Sequence, residues 1–464
     1  VKARRSGWAD RPLAARLAVL TKLRRRIADE PGPLIDALRR PARTADAESL
    51  ASEVIPLADA IRFLEREAPH LLRVRRLGRR GRPAWLAGVH AEIVREPHGT
   101  VLVIAPSNYP LFLPGVQMLQ ALAAGNDVLW KPGAGGTAAA AVIEGWLRDA
   151  GLPPAALRVL PEDPDSARRA IDEEADLVVL TGSAITAREV LARCASRLVP
   201  AIVESSGCDA VFVLEDADLA HVASCLAFGL RWNGAATCIA PKRVFVPSRS
   251  LAALEERLGA ALSRAGAVAA DPRAAALGIE CAREAVAGGA RLVFGELRVL
   301  ASMRPVVLSD ANPAMRLLRE DVFAPFLSLV PVGSVDEAIE ADARCPYALG
   351  ASIFGDEGRA RAIARRIRAG SVTINDLIVP TADPRLPFGG RGRSGFGKTR
   401  GGEGLLAMTT SKTISVRKGR TLRHLVPPGD REERIFRAWL GAAHGRGLAR
   451  RLRAIAGIVQ ESAR

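Results

Sequence analysis

TVLVIAPSNYPLFLPGVQMLQALAAGNDVLWKPG, residues 100–133, is the stretch on which the architecture turns. It opens on the short apolar run TVLVIA and closes on a second, DVLW at 127–130. Runs of this length without polar alternation fit strands covered on both faces. Two more follow, LRVL at 157–160 and LVVLT at 177–181, with alanine-rich helical stretches in the series. In AAAAVIEGWLRDAG, residues 138–151, Thr137 is placed to cap the helix and Gly151 to end it. Strands alternating with helices predict βαβ units and a parallel sheet. A second series of strands is read at 210–214, 242–246, 291–294, 305–308, 327–332, 351–354 and 371–375, which predicts a second α/β lobe.

Upstream, Leu13, Leu17, Leu20 and Ile27 share one helical face. Leu50, Val54, Leu57, Ile61 and Leu64 share another, and Pro56 is expected to kink that helix. The arginines at 73, 75, 76, 79, 80 and 82 are expected to coat a solvated loop. Downstream, the stretch 388–404, dense in Gly and Arg, is also expected to be a loop, and residues 418–464 form a basic tail. There Ile435 and Trp439 sit one turn apart, and Leu448, Leu452, Ile455 and Val459 recur at helical spacing among Arg446, Arg450, Arg451 and Arg453. Such a helix either docks on protein or makes peripheral contact with an anionic membrane.

With 464 residues the chain has material for two large domains or about three ordinary ones. Hydrophobic residues at 48% and charged residues at 25% exclude global disorder. A net charge of +16 raises nucleic acid or acidic membranes as partners. The excess comes from 59 arginines against seven lysines, spread along the chain, and with aromatics at 4% no basic stripe carries stacking residues, so nucleic acid is not an expected partner. No apolar run approaches the roughly 18 residues of a membrane span, and arginines scattered through residues 1–30 are unlike a signal peptide. The expected compartment is the cytoplasm. The six cysteines, at 194, 208, 225, 238, 281 and 345, have neither zinc-site pairing nor the density of a disulfide scaffold. The histidines, at 70, 90, 98, 221, 424 and 444, show no ligand spacing, so no metal is expected.

Four residues carry candidate chemistry. Cys238, in RWNGAATCIAPKRV at 231–244, follows small residues and precedes a basic strand. A cysteine so placed is either a nucleophile, if its thiol ionises, or an inert buried thiol. Glu204 ends a strand in AIVESSGCDA, where a carboxylate beside small residues can act as a base on water. Asn108 in VLVIAPSNYPLFLPG and Lys131 in NDVLWKPG complete the set.

Together these residues resemble the aldehyde dehydrogenase superfamily. Asn108 precedes an aromatic residue and proline, Lys131 precedes proline, Glu204 lies ahead of a glycine-containing turn, and Cys238 sits in an N-G-x-x-x-C context. TGS at 181–183, VLEDADL at 213–219, REDVFAP at 319–325 and LPFGGRGRSGFGK at 386–398 extend the likeness over about residues 10–430. NYP at Asn108 and the tail PPGDREERIFRAWL look most like the class 3 branch, which acts on fatty and aromatic aldehydes. The resemblance implies an α/β fold with a Rossmann-like cofactor domain at 1–204, interrupted by an oligomerisation hairpin near 85–96. A catalytic α/β domain at 205–385, a return and bridging segment at 386–417 and the tail at 418–464 complete the expected organisation.

The same resemblance implies that Cys238 attacks an aldehyde, that Asn108 and the Cys238 N–H hold the oxyanion, and that Glu204 activates the water that releases the acid. NAD or NADP is the implied cofactor, contacted by Lys131, Ser183, Gly182, Ile104, Asp321 and Phe323. Taken alone, Ser183 also reads as an ordinary helix cap. Tyr109, Phe112, Trp232 and Ile239 are expected to give a greasy substrate pocket, and a homodimer is the expected assembly. Some positions depart from the family pattern: Asp321 stands for a glutamate, Ala187 for a glycine, Ala134 for an acidic residue whose loss favours a 2′-phosphate, and Ser205–Ser206 for Leu-Gly. Two alternatives stand beside the main reading. One is a CoA-acylating relative, which Glu204 argues against, and the other is a cofactor-binding relative without turnover.

Overall fold

Alternation along the first predicted strand sets the layers. In Thr100–Ile104, Val101 and Val103 enter one apolar cluster while Leu102 and Ile104 enter the other. A strand presents successive side chains to opposite faces, so this one is covered on both. The computed structural model describes residues 6–463 except 42, 44, 265, 301, 419–424, 426 and 428. Thr100–Ile104 lies in a six-stranded sheet of order 395–396, 201–205, 177–182, 100–104, 127–131, 157–159. All pairs in it are parallel except the edge strand Gly395–Phe396, which runs antiparallel to Ala201–Ser205. Helices Leu13–Asp29, Ile55–Leu71 and Phe112–Ala124 cover one face, and Pro164–Glu173 and Ala184–Arg197 cover the other.

The second strand series forms a seven-stranded sheet of order 291–294, 306–309, 326–332, 241–247, 209–213, 350–354, 371–374. Only its first pair is antiparallel. The chain passes between the two sheets at residues 206–208, immediately after the strand that carries Glu204. By internal contacts, Val1–Val74 with Val94–Lys412 form one unit, and Arg75–Ile93 with Thr413–Arg464 form another.

Several expectations need correction. Thr137 does not cap its helix: it is the first residue of Thr137–Asp149, and the carboxylate of Glu162 accepts from the Gly135 and Thr137 N–H groups, each at 2.9 Å. The expected kink at Pro56 appears as a π-helical turn, Leu50–Val54, which leaves Pro56 in the first turn of Ile55–Leu71, where its missing N–H costs little. The arginine cluster is not all loop, since Arg75–Leu77 is a strand paired antiparallel with Val89–Pro97. The hairpin therefore begins earlier than residue 85. The Gly-rich stretch supplies the edge strand Gly395–Phe396 and starts the helix Gly401–Ala407.

In the second unit, helices Asp430–His444 and Leu448–Ala463 pack on each other through small residues, Gly441 facing Ala454 and Gly457 facing Ala438. Phe436, Leu440, Leu448, Leu452, Ile455 and Val459 stay exposed, each by 48% or more. Among the described residues no helix is long and apolar enough to cross a membrane.

Candidate active site

Parallel α/β sheets bind ligands outside the carboxyl ends of their strands, where the strand order reverses. Here the reversal falls between Thr100–Ile104 and Leu177–Gly182. A groove of about 300 Å³ lies there, lined by Ile104, Lys131, Gly133, Ala134 and Gly182 among others. Pro106, Ser107, Thr181 and Gly182 also line a second cavity of about 350 Å³. Its remaining walls are Asn108, Leu113, Ser183, Glu204, Ser205, Ser206, Cys238, Asp321 and Phe323. The cavity collects Asn108, Glu204, Cys238, Ser183, Gly182, Asp321 and Phe323, and the groove that shares four of its wall residues holds Lys131 and Ile104.

Cys238 reaches this cavity from a left-handed turn. Asn233, Gly234 and Ala235 have φ of 53°, 63° and 58°, which swing the chain out of the helix Leu219–Arg231 before the strand Pro241–Pro247. Two of these three residues are not glycine, so the turn needs external support. Glu48 Oε1 accepts from the Asn233 N–H at 2.6 Å, and Arg40 and Arg43 donate to Asn233 Oδ1 at 2.6 and 3.1 Å. Both arginines also donate to the Asn108 carbonyl. Arg43 pairs with Glu53 at 2.6 Å with both side chains fully buried, and Glu53 Oε2 accepts from the Leu111 and Phe112 N–H groups at 3.1 and 2.6 Å. These ionic groups lock the Asn108 loop and the Cys238 turn to each other.

The Asn108 side chain donates through Nδ2 to the Ala236 carbonyl at 2.8 Å. An amide nitrogen carries two hydrogens, so one remains for a ligand. Burial pushes the Cys238 thiol well above the usual range, and the carboxylates of Glu204 and Asp209 add to the rise. Glu204 is buried as well, and burial raises its carboxyl against the opposing charge of Arg400 and a hydrogen bond from Thr399. Thr399 Oγ1 donates to Glu204 Oε2 at 2.5 Å, while Oε1 has no partner among the described residues. A buried oxygen left unpaired beside a cavity is suited to receive a water.

Asp321 is held on both oxygens: Ser206 Oγ donates to Oδ2 and the Tyr347 hydroxyl donates to Oδ1 at 3.3 Å. Ser183 is the N-cap of Ala184–Arg197, accepting from the Thr186 N–H at 3.1 Å. It fills the ordinary cap role and lines the cavity at once. Burial lowers the Lys131 ammonium, opposed by Glu162 and Asp163.

Tyr109, Phe112, Trp232 and Ile239 do not line the cavity of Cys238. Tyr109 is buried, its hydroxyl 2.8 Å from Thr237 Oγ1. Phe112 begins a helix all of whose residues are buried, and it lies against Arg400. Trp232 lies tilted against Phe228 with centroids 5.1 Å apart, and Ile239 lines a separate small pocket with Asp209. Being aromatic or aliphatic near a site residue in sequence did not place them in the cavity, because the adjoining elements turn those faces into the core. Leu113 and Phe323 are its apolar walls. Sequence reading missed Arg40, Arg43, Glu48 and Glu53, which look like ordinary surface charge, and Thr399 and Arg400, which follow the Gly-rich stretch.

The model of the aldehyde dehydrogenase family matches residues 1–414. The chain belongs to the aldehyde dehydrogenase family. This aldehyde dehydrogenase is 31% identical to a 4,4'-diapolycopene aldehyde oxidase of Methylomonas sp over 418 residues, 87% of this chain and 78% of the relative. It is similar to an NADP-dependent glyceraldehyde-3-phosphate dehydrogenase of Bacillus halodurans complexed with NADP, with 27% identity, a TM-score of 0.82 and 88% of each chain covered. An aldehyde dehydrogenase of Mycobacterium tuberculosis complexed with NAD+ shares the fold at 24% identity, with a TM-score of 0.81 and 89% and 88% of the two chains covered.

Proposed function

We propose that this aldehyde dehydrogenase oxidises a hydrophobic aldehyde to its carboxylic acid with NAD or NADP, through a thioester on Cys238. The observation that carries the reading is the meeting of Cys238, Glu204 and Asn108 in one cavity that shares wall residues with the groove at the strand-order reversal. The Cys238 thiol gives its proton to water as Sγ attacks the carbonyl carbon, and the developing oxyanion is held by the free Asn108 Nδ2 hydrogen and the Cys238 N–H. A bound nicotinamide dinucleotide supplies the hydride acceptor. The residues present fit one: Ile104, Lys131 and Gly182 line the groove, and Ser183 starts a 14-residue helix whose first N–H groups favour phosphate. Asp321 and Phe323 would hold the nicotinamide end. Glu204 then takes a proton from water, whose oxygen attacks the thioester and frees the acid and the thiol.

Ala134 stands in the groove wall where a carboxylate would repel a 2′-phosphate, so both nucleotides remain substrates in this reading. Leu113 and Phe323 in the cavity, and the likeness to an oxidase of a diapolycopene aldehyde, support a hydrophobic substrate. The reading includes a cytoplasmic homodimer, and the exposed apolar residues of the two tail helices support their docking on a protein surface or a peripheral contact with an anionic membrane. The test is a steady-state panel of aliphatic and aromatic aldehydes with each nucleotide. Reduced nucleotide should form in step with acid and vanish in Cys238→Ala. Equal rates in that variant, or no reduction with any aldehyde, would contradict the reading.

A further inference from the structure

Two further thiols stand behind the cleft. Cys208 and Cys345 are both free and buried, and they share a small apolar cluster with Tyr347, apart from the larger cores. Within that cluster the two cysteines pack side by side with Tyr347. Arg243 lies against the pair, donating through Nε to the Cys208 carbonyl at 2.8 Å and through Nη2 to Asp342 at 2.8 Å. The neighbouring Cys208 draws the Cys345 thiol below the usual range, with Arg243 helping and burial opposing. A lowered thiol ionises more readily, and the thiolate is the form that reacts with peroxides.

The pair joins two segments that meet at Asp321. Ser206, two residues before Cys208, and Tyr347, two residues after Cys345, donate to the two Asp321 oxygens. Ser394 bridges the same segments, its Oγ donating to the Ser206 carbonyl at 2.9 Å and accepting from the Ala348 N–H at 3.0 Å. The Gly207 N–H, beside Cys208, donates to the Cys238 carbonyl at 3.1 Å. A disulfide holds its sulfurs about 2.05 Å apart, closer than any thiol–thiol hydrogen bond. Closing it therefore pulls on both residues that hold Asp321.

We propose that Cys208 and Cys345 form a reversible, hydroperoxide-driven disulfide that gates dinucleotide binding at Asp321, an inference that rests on the cofactor role proposed above. The Cys345 thiolate attacks an oxygen of hydrogen peroxide, the O–O bond breaks, and a sulfenic acid forms as the departing hydroxide takes a proton from solvent to leave as water. The Cys208 sulfur then displaces the sulfenic oxygen, which departs as a second water with the Cys208 proton. The two thiols lose two electrons in all and the peroxide gains them. An external dithiol reverses the step by exchange.

The experiment uses the full chain as Cys238→Ala, so that the proposed nucleophile does not react. Hydrogen peroxide should give a 208–345 linked peptide in unreduced digests, and the Kd for NADH or NADPH should rise about fivefold or more. Dithiothreitol should restore both. Cys345→Ser in the same background should form no such link and keep its Kd after peroxide. Absence of the linked peptide, or a linked protein with unchanged Kd, overturns the gate. Reduced protein that binds neither nucleotide overturns the proposed function as well, which separates the two failures.

Discussion

Glu204 shows how one environment sets both the resting form and the working range of the proposed base. Burial raises its carboxyl, while Arg400 and the Thr399 hydroxyl pull the other way. The carboxylate needed to activate water is lost as pH falls through that raised value, so thioester hydrolysis should fail at a higher pH than an ordinary glutamate would allow. Arg400→Met removes the opposing charge and should move the failure higher still, as a pH profile of deacylation would report. A profile unmoved by the variant contradicts this assignment. The Arg43–Glu53 pair makes a stability claim. Both groups are fully buried at 2.6 Å, so Arg43→Met leaves a lone carboxylate and should cost about 3–5 kcal/mol in urea unfolding. Glu53→Leu added to it should not restore the loss, because Glu53 also accepts from the Leu111 and Phe112 N–H groups. The sequence disclosed Cys238, Glu204 and Asn108 because ordered motifs surround them. It hid Arg43 and Glu53, whose burial depends on contacts far along the chain.

At the level of elements, the central strands of the two large sheets were legible because they are short apolar runs covered on both faces. What was not legible is the work of Gly395–Phe396. This two-residue strand docks antiparallel on Ala201–Ser205 and brings Thr399 to Glu204. Gly395 has φ of 95°, and a Cβ there would lie 2.1 Å from the Val203 carbonyl oxygen. Gly395→Ala should therefore cost about 1–3 kcal/mol in backbone strain. It should also lower kcat by displacing Thr399 from the base, and near-parental kcat would show that the edge strand does not position Glu204. A glycine-dense stretch reads as loop from composition alone, since the pairing that turns part of it into strand lies some 190 residues away, Gly395 opposite Glu204.

On the scale of the whole molecule, the second unit exposes features that single-chain packing leaves unused. Thr409–Arg417 is an edge strand of the sheet it forms with Val89–Pro97, and nearly all of it is exposed. Such edges pair readily with another chain, which supports the proposed homodimer. The tail helices expose Leu452 by 57% and Ile455 by 48% on their apolar side. If the tail rests on a membrane, the full chain should co-sediment with vesicles containing phosphatidylglycerol at low salt. Leu452→Glu with Ile455→Glu should stay in the supernatant, and equal sedimentation would contradict the contact. The sequence identified these helices by periodicity but not their packing on each other through Ala438, Gly441, Ala454 and Gly457, since small residues carry little periodic signal. The most direct test of the central claim is mass analysis of Glu204→Gln quenched after mixing with an aldehyde substrate and oxidised nucleotide. One equivalent of reduced nucleotide should appear in a burst, together with an acyl group on the peptide containing Cys238. An acyl group on any other residue, or steady turnover without one, would contradict it.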